Sequence, residues 1–100
     1  MRLTELQSLS ILWQERLNLR EWTITTRWGK GMKGLYGQCW WDPENLVATV
    51  EICKYSRDKE LTLVHELLHL VLEGHEEFRG PNTVVERAIN RIAAALIGVK

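Results

Sequence analysis

Apolar residues recur at helical spacing through the first twenty positions, where Leu6, Leu9, Trp13 and Leu17 make one stripe. With Thr4 and Gln7 spaced as a capping box, the pattern predicts an amphipathic helix over residues 4–19. The period then changes from helical to two. Trp22, Ile24, Thr26 and Trp28 alternate with Glu21, Thr23, Thr25 and Arg27, which predicts a half-buried strand over 21–28. Residues 29–34 carry Lys30 and Lys33 among glycines and read as a loop. Two further strands, 35–41 and 46–53, flank Asp42-Pro43-Glu44-Asn45, a set of residues suited to a turn. Leu46, Ala48, Val50 and Ile52 give the second of these one apolar face. Asp58 is positioned to N-cap a helix that runs to Glu73 and stops at Gly74. Pro81 marks the start of a last helix, running to about Ile97 ahead of Gly98. One helix, three strands and two helices in 100 residues predict a single α+β domain with a mostly antiparallel sheet.

Composition narrows the functional classes. Thirteen basic and thirteen acidic residues cancel, so no long-range field draws the chain to nucleic acid or to an anionic membrane. The longest strongly apolar stretch, residues 67–72, is far too short to span a bilayer, and Met1–Leu9 is polar and periodic, unlike a signal peptide. Cys39 and Cys53 lack metal-site or redox spacing and read as reduced, semi-buried thiols. A cytoplasmic protein is the expectation.

The chemistry is concentrated in residues 61–72. This stretch is apolar almost all the way round, apart from Thr62, His65, Glu66 and His69. Such a helix is expected to be buried, and burying two imidazoles and a carboxylate is costly unless something satisfies them. Residues four apart share a helix face, so His65 and His69 can reach one point, where a zinc ion would accept both nitrogens. Glu66, turned by about 100°, would sit beside the metal, placed to take a proton from a water the metal activates. Together these residues form HExxH, the pattern of Lewis-acid hydrolysis assisted by a carboxylate base. The plainer alternative is a helix whose His and Glu are ordinary core and surface residues.

Catalytic zinc usually takes a third protein ligand and leaves a fourth position for water. Glu86 is one candidate, reaching the metal if the last helix packs antiparallel against the HExxH helix. Asn90 lies one turn further on the same face, where its amide oxygen could accept the outer N–H of a ligand His. Against this, Thr83 and Glu86 also fit a capping box with no metal involved. The other candidate is His75, ten residues after His65 as in HExxHxxGxxH. Leu72 stands where that pattern has its helix-breaking glycine, so His75 is expected to face away, in a solvated acidic corner with Glu73, Glu76 and Glu77.

HExxH followed by Glu86 and Asn90 resembles the gluzincins, and the order of elements looks like the minigluzincins and the small phage and mobile-element metallopeptidases. Most of the chain shares that architecture, while the specific motifs are confined to 65–69 and 86–90. The resemblance implies a zinc metallopeptidase acting on a peptide or protein substrate, with His65, His69 and Glu86 as ligands, Glu66 as base and Asn90 outside the ligands. Gluzincins commonly carry Asp where this chain has Asn90. The resemblance also implies an edge strand, here 35–41, on which substrate backbone pairs. Gly37 and Gln38 would give backbone access, and Trp40 and Trp41 apolar walls, unless the tryptophans simply fill the core. Tyr36, Tyr55, His75 and Arg87 are candidates for stabilising the oxyanion. Minigluzincins can block their clefts with chain termini, so latency is a further implication.

Two rival functions stay open. The HExxH run with His75 also resembles the three-histidine motif of zinc-dependent ribosomal-RNA-processing endoribonucleases, although that family has Gly at the positions of Glu66 and Leu72. The other rival is a catalytically weak or latent zinc-binding scaffold.

Overall fold

The N-terminal stripe forms helix α1, Leu3–Arg16, in a computed structural model that describes residues 1–30, 34–73 and 82–98 (backbone only at 82–84). The helix starts one residue earlier than expected because a different side chain, Glu5, ties its first turn. The Arg2 N–H donates to Glu5 Oε1 at 3.2 Å, while Gln7 reaches away to the Thr26 carbonyl at 3.3 Å. It also ends earlier, at a Schellman turn. Asn18 takes a left-handed φ of 57°, the Leu19 N–H returns to the Gln14 carbonyl, and the Asn18 N–H returns to Glu15.

The strands are β1 (Thr23–Trp28), β2 (Gly37–Asp42) and β3 (Val47–Ile52), in the spatial order β1-β3-β2. The β2–β3 pair is the expected antiparallel hairpin; its turn is tied by Asp42, which accepts from the Glu44 N–H at 3.0 Å and from the Asn45 amide at 2.7 Å. The β1–β3 pair is parallel, so the expectation of a mostly antiparallel sheet gives way to a mixed one. Burial explains why the later strand takes the centre. Ala48, Val50, Glu51 and Ile52 are all buried, whereas β1 and β2 each keep an exposed side. Glu51 is compatible with a central position because each neighbouring strand supplies it a donor, Arg27 Nε at 2.8 Å and Gln38 Nε2 at 2.9 Å.

One sheet face packs on α2 (Lys59–Glu73), which Asp58 caps as expected by accepting the Leu61 N–H at 3.0 Å. Leu63, Val64, Leu67, Leu68 and Leu70 are buried on this helix, each contributing about 1.5–3 kcal/mol by leaving water. Helix α1 covers another side of α2, with Trp13 Nε1 donating to Glu60 Oε2 at 2.8 Å. Helix α3 (Asn82–Gly98) closes the third side through Val85, Ile89 and Ala93, buried at four-residue intervals. That stripe fixes the rotation of α3 and so the direction of the residues beside it. Among the described residues, no helix is long and apolar enough to cross a membrane.

Candidate metal centre

His65 and His69 project from the same side of α2, their ring centroids 5.1 Å apart. The Val85–Ile89–Ala93 seam turns Glu86 toward them from α3. Glu86 Oε1 lies 2.8 Å from His69 Nε2, and Glu86 Oε2 lies 3.3 Å from His65 Nε2. One ligand atom from each of the three residues falls within 4.8 Å of the other two, a grouping that could hold a metal ion. The donor set suits a divalent cation. Tetrahedral zinc with bonds of about 2.0–2.2 Å separates its ligand atoms by roughly 3.4 Å, which the 3.3 Å His65–Glu86 pair matches and the 2.8 Å His69–Glu86 pair would reach by opening slightly.

The hydrogen-bonding chemistry of His69 makes the same point. Its Nδ1 lies 2.6 Å from Glu73 Oε2 and its Nε2 lies 2.8 Å from Glu86 Oε1, so both nitrogens face carboxylates. A neutral imidazole has only one N–H. One of the two contacts therefore sets a nitrogen lone pair against a carboxylate, an arrangement that a cation at this position would relieve. Asn90 supports the other histidine, its side chain hydrogen-bonding to His65. Burial is the main influence holding His65 below the usual imidazole range, with His69 adding to it, while Glu86 and Asn90 pull the other way.

Glu66 lies beside this cluster, its Oε2 4.0 Å from His65 Nε2. It is only 7% exposed, and burial pushes its carboxyl from 4.5 up to about 7, a rise that His69 opposes and Glu86 reinforces. Strand β2 presses directly on it. A Cβ at Gly37 would stand 3.0 Å from both Glu66 Cγ and Glu66 Oε2, and 2.8 Å from Thr62 Cγ2. Glycine is thus needed where the strand crosses α2. Thr62 is itself held, its hydroxyl 2.7 Å from that of Ser56.

The cluster opens into a cavity of about 800 Å³ between β2, α2 and α3, whose apolar wall includes Leu35, Trp41, Leu61 and Ala93. Gly37 and Gln38 line it, and β2 is an edge of the sheet among the described residues. The pleat divides the remaining expectations. Gly37, Cys39 and Trp41 pair with Ile52, Val50 and Ala48 on the face toward α2. Trp40 pairs with Thr49 on the opposite face, 48% exposed, so it is Trp41 and not Trp40 that lines the cavity. The Gln38 side chain also turns to that outer face, toward Glu51, which leaves its backbone for the cavity. Trp13 and Trp22 are core residues. Tyr36 borders the cavity; Tyr55, 90% exposed, and Arg87 do not. His75, Glu76 and Glu77 lie outside the described residues.

Two residues of the site were missed by the sequence reasoning. Glu73 is no solvated corner residue but the partner of His69, and the i,i+4 spacing could have found it. Cys39 lines the cavity, as its parity with Gly37 and Trp41 implies; burial, then Glu66 and Glu73, push its thiol up to about 12, so it stays neutral. No protein-family model, curated protein or solved structure matches the chain.

Proposed function

We propose that the protein is a zinc-dependent metallopeptidase of the zincin type. The observation that carries this reading is the convergence of His65, His69 and Glu86 at one point in an open cavity, with the buried carboxylate of Glu66 alongside. The bound ion would supply Lewis-acid polarisation of the scissile carbonyl and of water. Glu66, held beside the ligand cluster, accepts the proton of the attacking water and passes it to the leaving amine. The free edge of β2 offers N–H and C=O groups to an extended substrate backbone, and Trp41 and Leu61 offer apolar surface to its side chains. Tyr36 is the aromatic hydroxyl at the rim available to a developing oxyanion. Free Cys39 and Cys53 are in keeping with a reducing, cytoplasmic setting.

The test is zinc stoichiometry by native mass spectrometry together with cleavage of a mixed peptide library by wild type, chelated wild type and Glu66→Gln. The expected result is one zinc per chain, cleavage by wild type alone, and zinc retained by Glu66→Gln. Cleavage of RNA in place of peptides would transfer the chain to the endoribonuclease reading. Zinc uptake without turnover of either would make it a binding scaffold.

A further inference from the structure

We infer that Glu73 is a positioning residue for the metal ligand His69, so that the functional motif is HExxHxxxE rather than HExxH alone. The inference rests on the metal reading of the site. Glu73 follows His69 by four residues on α2, which puts the two side chains on one helix face. Its Oε2 lies 2.6 Å from His69 Nδ1, and the side chains are only 18% and 21% exposed, so solvent screens the contact weakly.

The consequence for His69 is specific. A hydrogen bond from Nδ1–H to Glu73 assigns the ring's one neutral-state proton to Nδ1. Nε2 is left as a lone pair, and Nε2 is the atom that meets Glu86 and points to the shared position. Glu73 therefore chooses the tautomer, fixes the ring's rotation and makes Nε2 a stronger donor to a cation. The two histidines are supported unequally, His65 by the neutral amide of Asn90 and His69 by a carboxylate.

The position of Glu73 argues against a purely helical role. Among the described residues it is the last of α2, toward the end where the helix dipole disfavours negative charge, and the last described turn carries no basic residue. A carboxylate there runs against local preference, and its contact with His69 is what offsets that.

The experiment uses the full chain. Zinc affinity is measured by competition with a chromogenic chelator for wild type, Glu73→Gln and Glu73→Ala. The imidazole nitrogens of His69 are followed by 15N NMR in the metal-free proteins. Glu73→Gln is nearly isosteric and keeps an acceptor, which guards against loss of the fold; thermal melts of the metal-free variants check it. The expected result is about 10–100-fold weaker zinc binding for Glu73→Ala and a smaller loss for Glu73→Gln. The Nδ1–H tautomer of His69 should persist in Glu73→Gln and be lost in Glu73→Ala. If wild type binds zinc and both variants bind it within about twofold, the role of Glu73 is refuted while the metal reading stands. If wild type binds no zinc, the metal reading falls and this inference falls with it. A role confined to the helix would lower the melting temperature and leave the tautomer and zinc affinity unmoved, which also overturns the inference.

Discussion

Replacing Glu66 by Gln should stabilise the metal-free protein at neutral and alkaline pH. Burial raises this carboxyl from 4.5 to about 7, so the folded state holds a proton that the unfolded chain has released. The sign follows. Below pH 4.5 both states are protonated and the group adds no pH dependence. Between 4.5 and 7 the folded state binds more protons, and stability falls as pH rises. Above 7 both states are ionised and the full penalty is present, on the order of 3 kcal/mol. Gln keeps the shape and carries no charge, so the stability difference between wild type and variant isolates this group. Urea unfolding of the chelated proteins at half-unit intervals from pH 5 to 8 should show wild type losing roughly 2–3 kcal/mol relative to Glu66→Gln, mostly below pH 7.5. Adding zinc should flatten the difference, because a nearby cation favours the carboxylate. A pH-independent difference, or a metal-free wild type more stable than the variant at pH 8, would refute the claim that Glu66 is buried at a cost.

Gly37→Ala should destabilise by about 1–3 kcal/mol in urea, since its methyl would meet Thr62 and Glu66, whereas Gly98→Ala, with open space around it, should change stability by under about 1 kcal/mol. Glu86→Gln should weaken zinc binding more than about 100-fold in a chelator competition, and His75→Ala should leave it within about threefold; the reverse would make His75 the third ligand. Trp41→Ser should cost about 2 kcal/mol or more and raise the KM for peptides, while Trp40→Ser, on the outer face, should cost less than about 1 kcal/mol and leave KM unchanged.

What was legible in the sequence depended on whether the signal was local. The cap of α2, the turn at 42–45 and the alternation of β3 are each set by a few adjacent residues, while the expected stop at Gly74 lies outside the described residues. The parallel pairing of β1 with β3 is not, because period-two alternation is the same whichever neighbour a strand takes. The cue in hindsight is Glu51, an acid within an apolar strand that needs donors from both sides, one from Arg27 and one from Gln38. The same division runs through the site. His65, Glu66 and His69 are four residues apart at most, so their geometry follows from helical spacing. The approach of Glu86 depends on how α3 is rotated, which Val85, Ile89 and Ala93 decide by packing on α2. Trp40 and Trp41 were expected together as cavity walls, but adjacent residues of a strand face opposite sides of the sheet, and only Trp41 lines the cavity. The close crossing at Gly37 is a tertiary contact with Glu66 that no pattern within residues 35–41 announces.

Charge at the site explains why so apolar a helix carries these groups. The whole chain is neutral, yet Glu66, Glu73 and Glu86 gather round two imidazoles, with the neutral thiol of Cys39 beside them. Without a cation, three carboxylates gathered this closely repel one another, and Glu66 and Glu73 have little solvent to offset it. The fold tolerates this because α2 is anchored on every other side, by the sheet, by α1 through Trp13 and Glu60, and by the α3 seam. A rigid frame of that kind holds the carboxylates where they are rather than letting them relax toward solvent. The surrounding packing thus supplies the stability, and the site holds its acids ready for positive charge: a proton on Glu66 when no metal is bound, and a divalent ion under the function proposed here.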